Sequence, residues 1–255
     1  NIDREVINSG KDLKAIVTAT TGLDHIDTEE TEKRGIAVLS LKGETDFLQS
    51  ITATAELTWG LLLSLIRRIP YAFNDVLHSN WRRDNFIGSE LKGRILGIIG
   101  YGRLGRIVAS YARVFRMSIY AYTHNRRDCE NYGVEWKDLE ELLSVSDVIS
   151  IHIPLTGETI NFLDSVKLAL LKPGSILINT SRGELIDEAA LIDCLKNGKI
   201  AGAALDVLSG EKHYRSGDGS WPECDPLVEY AKIHSNLLLT PHIGGASTDS
   251  MHATE

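Results

Sequence analysis

Short runs of β-branched and aliphatic residues alternate with helical segments along almost the whole chain, and this alternation limits the folds open to it. Several of the runs are apolar at both alternating positions, as strands are when helices cover both faces of a sheet. The pattern therefore predicts βαβ units and a mainly parallel sheet. The strand candidates are Ala15–Ala19, Ala37–Leu39, Ile95–Ile99, Ser118–Tyr122, Asp147–Ile151, Ser175–Asn179, Ala201–Asp206 and Leu237–Leu239.

Helix boundaries are indicated by capping residues and by one proline. The longest predicted helix is Ile51–Ile69, and Pro70 is expected to end it. Capping residues predict two further helices: Asp138 and Glu141 form a capping box that opens Leu139–Leu143, and Asp187 can cap Glu188–Lys196.

Composition excludes several classes of protein. The 255 residues are 43% hydrophobic and 24% charged, which is a normal globular mixture. A formal net charge of −8 gives no support to nucleic-acid binding, and no apolar run approaches the roughly 18–20 residues of a membrane span. The three cysteines are an odd number without a Cys-x-x-Cys motif, so a disulfide framework is not expected and the cytoplasm is the simplest location.

A glycine-rich turn follows the strand Ile95–Ile99 and leads into an apolar-periodic helix. Gly100, Gly102 and Gly105 form the pattern Gly-x-Gly-x-x-Gly. Gly100 permits the tight turn, Gly102 allows a pyrophosphate to approach the backbone, and Gly105 allows the helix to pack closely on the strand. A glycine-rich turn without a ligand is the alternative, but the strand and helix on either side favour a dinucleotide site.

The choice between NAD and NADP stays open in the sequence. A strand that ends in an acidic residue about 20 positions after the turn would hold the ribose of NAD. Here Thr123 takes that place, and Arg126 and Arg127 follow it closely. An arginine there can accommodate a 2′-phosphate, although the two arginines are equally compatible with a solvated loop.

Polar residues follow three later strands. Arg182 comes after Ser175–Asn179, Asp206 ends the next strand with Glu211 five residues later, and His242 follows the last strand. In open α/β sheets the carboxyl ends of the strands form the ligand edge, so these side chains are expected near the dinucleotide.

With these motifs the chain resembles the D-isomer-specific 2-hydroxyacid dehydrogenases, the family of phosphoglycerate dehydrogenase and glyoxylate/hydroxypyruvate reductase. The matching stretches are the glycine-rich turn, Thr20–Asp27, Asn179–Asp187, Ala201–Val207 and Thr240–Gly245. They occur in the family's order and cover nearly the whole chain.

The resemblance implies a role for each polar residue. Arg182 would bind the substrate carboxylate and polarise its carbonyl, and an arginine fork suits a carboxylate. His242 would exchange the proton with the substrate oxygen, and Glu211 would hold its imidazolium near neutrality. The implied reaction is hydride transfer between NAD(P)H and a small 2-keto or 2-hydroxy acid. The alternative is a non-catalytic NAD(H)-binding sensor, as in the corepressors that resemble this family.

The resemblance also implies further contacts and a homodimer formed through the cofactor domain. His152 would line the cofactor by its backbone, and Asp206 would contact the nicotinamide carboxamide. The cofactor contacts it implies are Gly100, Gly102, Arg103, Leu104, Gly105, Thr123, Arg126, His152, Pro154, Thr180, Arg182, Asp206, His242 and Gly244, and the substrate contacts are Thr21, Gly22, Leu23 and Arg182.

The chain departs from the family pattern at two loops. The family usually has a proline shortly after the catalytic Glu, whereas Lys212 follows Glu211, so Glu223 beside Pro222 is a weaker rival for that role. Leu39–Thr45 replaces a loop that usually reads Asn-Ala-Pro, and its Lys42 could meet an anionic substrate tail, although a solvated lysine is the more ordinary interpretation.

The expected architecture has two domains of unequal completeness. Residues 53–242 would form a Rossmann-type doubly wound parallel sheet that binds NAD or NADP. Residues 1–52 would form the N-terminal part of a smaller flavodoxin-like substrate domain, and residues 243–255 would begin the return to it. Since the family builds this domain from both chain ends, we expect it to be incomplete here.

Overall fold

Strands and helices alternate along the chain, and most of the strands join one parallel sheet. The computed structural model describes residues 2–23, 25–124, 133–211 and 225–254. In these residues the strands are β1 (Ala15–Thr18), β2 (Ala37–Ser40), β3 (Ile95–Ile99), β4 (Ser118–Tyr122), β5 (Glu135–Trp136), β6 (Val148–Ile151), β7 (Ser175–Asn179), β8 (Ile200–Leu205) and β9 (Leu237–Leu239). Seven of them pair in the order β5-β4-β3-β6-β7-β8-β9, and every pairing is parallel. The predicted doubly wound α/β class is therefore confirmed.

The strand order contains a switch point between β3 and β6. The chain runs from β3 outward to β4 and β5, and it then returns to add β6 to β9 on the other side. Because these strands are parallel, their carboxyl ends lie along one edge of the sheet. Ligands of doubly wound sheets bind at that edge, beside the switch point.

Helices cover both faces of the large sheet. The helices are α1 (Arg4–Ser9), α2 (Thr28–Lys33), α3 (Thr45–Gln49), α4 (Ala53–Ile66), α5 (Ile69–Leu77), α6 (Arg103–Val114), α7 (Leu139–Val145), α8 (Ser165–Leu170), α9 (Glu188–Lys196), α10 (Pro226–Ile233) and α11 (Thr248–Thr254). Helices α4 and α6 pack on one face, and α7, α8, α9 and α10 pack on the other. Strands β6 and β7 are buried at every position, which explains why their sequences are apolar on both alternating positions.

Within the described ranges, no helix is both long enough and apolar enough to cross a lipid bilayer.

The first two strands form a separate parallel sheet with one packed face. Helices α1 and α2 adjoin this sheet, and its small core is made of Ile7, Ile16, Ile26 and Ile36. The opposite face carries Val17 and Leu39, whose side chains are 75% and 56% exposed. A parallel sheet normally has both faces covered, so this small sheet has an unusually open side.

The structure corrects the predicted end of the longest helix. Helix α4 ends at Ile66, and Arg68 adopts a left-handed conformation with φ of 53°. Pro70 does not end α4, because it lies in the first turn of the next helix, α5. A proline is tolerated there because the first turn of a helix has no intrahelical acceptor for its N–H. Pro70 therefore begins a helix instead of ending one.

The capping predictions have mixed outcomes. Asp187 caps α9 by accepting a hydrogen bond of 3.0 Å from the Ala190 N–H, as expected. Asp138 precedes α7, but its side chain makes no capping hydrogen bond, and Glu141 pairs instead with Lys137 at 2.5 Å. The eight predicted strands are present with ends shifted by at most one residue, whereas β5 was not predicted because two residues show no alternation.

Candidate active site

The glycine-rich turn between β3 and α6 leaves no room for side chains at two of its glycines. Gly100 has φ of 96°, and a Cβ on it would lie 2.7 Å from the carbonyl carbon of His152. A Cβ on Gly105 would lie 2.3 Å from the carbonyl oxygen of Gly100. Both contacts are with backbone atoms that cannot move aside, so the turn requires glycine at these two positions.

The third glycine faces open space at the start of α6. A Cβ on Gly102 would meet no atom within 4 Å, and no side chain caps the helix that begins at Arg103. The first N–H groups of a helix have no intrahelical acceptor, and the helix dipole favours an anion beside them. This open, uncapped N-terminus is suited to the pyrophosphate of a dinucleotide.

Arg103 uses its side chain to fix the turn to the rest of the chain. Its guanidinium donates to the carbonyl oxygens of Leu48 and Ile51, both at 2.8 Å. Burial lowers the pKa of this guanidinium. With the side chain so engaged, a cofactor contact by Arg103 or its neighbour Leu104 would come from the backbone of α6.

His152 lies where its backbone closes the other side of the turn. Its N–H donates to the Ile99 carbonyl oxygen at 2.7 Å, and its Nε2 is 2.8 Å from the Ser150 hydroxyl oxygen. Burial lowers the pKa of His152 to about 4, so the ring is neutral at physiological pH. This environment suits a wall residue rather than a group that exchanges protons.

Three further cofactor candidates lie along the same edge. Thr123 is half-buried just after β4. The buried hydroxyl of Thr180 is 2.9 Å from that of Thr58, which connects the end of β7 to α4. The carbonyl oxygen of Pro154 accepts from the Thr159 hydroxyl at 2.9 Å. The other candidates, Arg126 for the cofactor and Glu223 for the Glu role, lie outside the described residues.

Arg182 is presented by a loop that the buried Asn179 side chain closes. Asn179 donates through Nδ2 to the Arg182 carbonyl oxygen at 2.7 Å and accepts through Oδ1 from the Ser181 N–H at 3.0 Å. The Arg182 guanidinium donates to the Ser181 carbonyl oxygen at 2.7 Å. The next residue, Gly183, touches the chain after β8, since a Cβ on it would lie 2.0 Å from the carbonyl carbon of Leu208.

Glu211 is oriented by a tight turn over residues 208–211. The Glu211 N–H donates to the Leu208 carbonyl oxygen at 3.3 Å, and Gly210 has φ of 74°. The carboxylate turns back on the same loop, because Oε2 accepts from the Leu208 N–H at 3.2 Å. The other oxygen, Oε1, contacts Nδ1 of His242 within hydrogen-bonding distance.

His242 has a backbone conformation that side chains rarely adopt. Its φ is 54°, in the left-handed region, which costs on the order of 1 kcal/mol for a residue of this kind. Its N–H donates to the carbonyl oxygen of Asp206 at 2.8 Å, which offsets part of that cost. Backbone strain of this kind is often found at functional positions.

The buried carboxylate of Asp206 organises the loop that carries His242. It accepts from the Thr240 hydroxyl at 2.6 Å, from the Ile243 N–H at 2.9 Å and from the Gly244 N–H at 2.7 Å. Burial raises the pKa of this carboxyl, while the three donors and His242 act in the opposite direction. Asp206 therefore fixes the backbone on both sides of His242.

The substrate-side candidates lie in the small sheet, in the loop between β1 and α2. The Thr20 hydroxyl donates to the Gly22 carbonyl oxygen at 2.8 Å, and the Ile26 N–H donates to the Leu23 carbonyl oxygen at 2.9 Å. Thr21, between them, is exposed. The loop after β2 is joined to this one by a hydrogen bond of 3.1 Å from the Leu41 N–H to the Thr20 carbonyl oxygen, and the neighbouring Lys42 is exposed.

Sequence reasoning did not identify the residues that hold these groups in place. Asn179 closes the Arg182 loop and Gly183 joins it to the Glu211 turn, but neither was given a role. An asparagine at a strand end and a glycine directly after the key arginine were the available signals. Both are too common to decide the matter without the tertiary structure.

Known proteins are similar to this chain over most of its length. The family described as D-isomer specific 2-hydroxyacid dehydrogenase, NAD binding domain, matches residues 59–244. The glyoxylate reductase of Thermococcus litoralis is 40% identical over 259 residues, which cover 98% of this chain and 72% of that protein. The D-3-phosphoglycerate dehydrogenase of Archaeoglobus fulgidus is 37% identical over 251 residues, which cover 98% of this chain but only 44% of that protein.

A solved structure shows the same architecture with ligands. The crystal structure of D-lactate dehydrogenase from Aquifex aeolicus, complexed with NAD and lactic acid, is 32% identical to this chain and superposes with a TM-score of 0.83. The match covers 99% of this chain and 76% of that one.

Gly183→Ala tests the contact between the Arg182 loop and the Glu211 turn. The new Cβ would push two backbone segments apart, so we expect turnover to fall about 100-fold and the free energy of unfolding to fall by about 1–3 kcal/mol. Steady-state kinetics and urea denaturation measure the two effects. Gly157→Ala is the matched control, because a Cβ there would meet nothing within 4 Å. If Gly183→Ala and Gly157→Ala have the same turnover and the same free energy of unfolding, the contact does not matter for the site.

Proposed function

The chain belongs to the D-isomer specific 2-hydroxyacid dehydrogenases, a family of NAD(P)-dependent oxidoreductases, and on that premise we propose that it interconverts a small 2-keto acid and its D-2-hydroxy acid. The observation that carries the proposal is the contact between His242 and Glu211, at the ligand edge of a sheet with a dinucleotide turn. Glyoxylate and phosphoglycerate-type acids are the substrate classes that the relatives named above suggest, and the family resemblance adds hydroxypyruvate.

The glycine-rich turn would hold the cofactor pyrophosphate. The crowded glycines, Gly100 and Gly105, shape the turn, and Gly102 with the uncapped start of α6 leaves space and N–H donors for the phosphates. A nicotinamide cofactor bound there supplies or accepts the hydride. Thr123 offers a hydroxyl where an acid would select NAD, and a hydroxyl does not repel a 2′-phosphate, so we infer that the site accepts NAD or NADP.

Arg182 would bind the acid group of the substrate. Its planar guanidinium can donate two parallel hydrogen bonds to a carboxylate, and its charge also polarises the neighbouring carbonyl. Asn179 restrains the loop behind it, so the guanidinium starts from a defined position. Backbone N–H groups of the Thr21–Leu23 loop would complete the binding of the carboxylate.

His242 would exchange the proton that the reaction requires. A carbonyl oxygen that becomes a hydroxyl needs a proton, and the reverse reaction releases one. Because Nδ1 contacts the Glu211 carboxylate, Nε2 is the nitrogen that would give the proton to the substrate and take it back. The carboxylate of Glu211 stabilises the imidazolium form that a reduction consumes.

We also propose the domain division given by the sequence, with residues 53–242 as the cofactor domain and 1–52 and 243–255 as parts of a substrate domain. The support is the separate small sheet of β1 and β2. One face of this sheet exposes Val17 and Leu39, whereas both faces of a parallel sheet are normally covered within a larger domain. A cytoplasmic location is a further proposal, supported by the buried free thiol of Cys194.

The cofactor domain is proposed to form a homodimer through α5 and the residues that follow it. Phe73, Leu77 and Trp81 lie four positions apart, and their side chains are 64%, 64% and 87% exposed. Ile69, four positions before Phe73 in α5, is 50% exposed, and Ile87 is 74% exposed. Monomeric proteins rarely expose a large apolar patch, and aromatic residues are enriched in interfaces.

Expression of residues 45–247 alone tests the division and the dimer together. This fragment lacks the small sheet of β1 and β2 but keeps the Leu48 and Ile51 carbonyl oxygens that fix Arg103 and the N–H groups that hold Asp206. We expect it to bind NADH and to have about twice its single-chain mass by light scattering, because both the turn and the apolar surface lie within it. The full chain should likewise have about twice its mass of 28.1 kDa. A monomeric full chain at micromolar concentration would contradict the dimer, and a fragment that binds no NADH would contradict the division.

His242→Gln tests the proposed reaction. Turnover with NADH or NADPH should fall by about 10²–10⁴-fold, because glutamine cannot supply the proton. Nucleotide binding by fluorescence titration should stay within about twofold of the wild type, since the turn is unchanged. The substrates are glyoxylate, hydroxypyruvate, pyruvate and phosphohydroxypyruvate.

His252→Gln, at an exposed position in α11, is the control and should behave as the wild type. Unchanged turnover in His242→Gln would refute the assignment of the histidine. If the wild type oxidises neither NADH nor NADPH with any of the acids but binds them tightly, a nucleotide sensor would be favoured. The relatives reported above give no support to that alternative.

A further inference from the structure

Glu188 contacts the turn that carries Glu211, although it lies on a different element. It is the first residue of α9, and its Oε1 accepts a hydrogen bond of 2.7 Å from the Ser209 N–H. Ser209 is the second residue of the turn over residues 208–211, and Glu211 is the last. The carboxylate that faces His242 is therefore two residues from a backbone group held by Glu188.

A second contact joins the segment after Arg182 to the same turn. Gly183 presses against the peptide between Leu208 and Ser209, since a Cβ on it would lie 2.0 Å from the carbonyl carbon and 2.2 Å from the nitrogen. The segment that follows Arg182 thus meets the turn at two points, one by close packing and one by a charge-assisted hydrogen bond. Two contacts fix the orientation of the turn as well as its distance from the Arg182 segment.

Among the described residues, the charged groups that act on Glu188 are acidic, and its carboxyl is partly desolvated. Burial raises the pKa of Glu188 to about 7, the negative charges of Asp225, Glu184 and Glu211 act in the same direction, and the Ser209 N–H opposes them. These groups belong to the start of α10, the segment after Arg182 and the turn itself. The carboxyl therefore changes its charge in the neutral range, close to the acid–base pair.

We propose that Glu188 is a positioning residue, which holds the turn over residues 208–211 so that Glu211 faces His242 and lends its negative charge to that pair. The proposal rests on the proposed function, because it assigns Glu188 a part in the same proton exchange. In its ionised form Glu188 adds negative charge beside Glu211, which favours the imidazolium that a reduction requires. In its neutral form it can still accept the Ser209 N–H through its carbonyl oxygen.

Two substitutions separate the hydrogen bond from the charge. Glu188→Ala removes both, so kcat for keto-acid reduction should fall about 10-fold while KM for NADH stays within about twofold. Glu188→Gln keeps an accepting oxygen and should retain most of kcat at about pH 6. It lacks the charge, however, so the loss of activity toward alkaline pH should begin at a lower pH in Glu188→Gln than in the wild type. Profiles from about pH 6 to pH 9 measure this shift.

Asp193→Asn is the matched control, because Asp193 is an exposed carboxylate of the same helix, and its profile should coincide with the wild type. An unshifted profile in Glu188→Gln would overturn the role of the charge, even if Glu188→Ala fails to fold. Wild-type kcat in a folded Glu188→Ala would overturn the proposal as a whole.

Hydrogen exchange gives a readout that does not depend on activity. Amides of the peptide over residues 205–211 should exchange faster in Glu188→Ala than in the wild type, whereas Glu188→Gln and Asp193→Asn should match the wild type. Unchanged exchange in Glu188→Ala would overturn the positioning role. If the wild type reduces none of the acids, the proposed function fails, while this measurement still reports whether Glu188 holds the turn.

Discussion

The candidate site depends on the hydrogen bonds that the buried carboxylate of Asp206 accepts. Its two oxygens accept from Thr240, Ile243 and Gly244, and so they fix the chain on both sides of His242. A carboxylate out of contact with water is costly unless donors surround it, and here three donors do so. These hydrogen bonds to Asp206 also keep His242 in its left-handed conformation, which a loop without them would not retain.

The parallel sheet explains why residues so far apart in sequence come together. Arg182 follows β7, Glu211 follows β8 and His242 follows β9, and the three strands are adjacent. Their carboxyl ends therefore meet at one edge, beside the turn after β3. Close backbone contacts complete the arrangement, since Gly183 and Glu188 join the Arg182 segment to the Glu211 turn.

Much of this could be predicted from the sequence because it depends on local patterns. The alternation of strands and helices, the glycine-rich turn and the order of the polar residues are all visible along the chain. The end of α4 could not be predicted, because a proline is compatible with the end of one helix and the start of the next. The contacts of Asn179 and Glu188 depend on which segments meet in three dimensions, and no spacing in the sequence reveals that.

The central claim is that Glu211 and His242 act as a pair in the proton exchange of the proposed reaction. The most direct test is a double-mutant cycle on kcat/KM for keto-acid reduction, with Glu211→Gln, His242→Gln and the variant that carries both substitutions. The account predicts that Glu211→Gln alone lowers kcat/KM about 10-fold and adds little to the loss caused by His242→Gln, because groups that act as a unit are not additive. Wild-type kcat/KM in Glu211→Gln, or losses that simply multiply in the double variant, would contradict it.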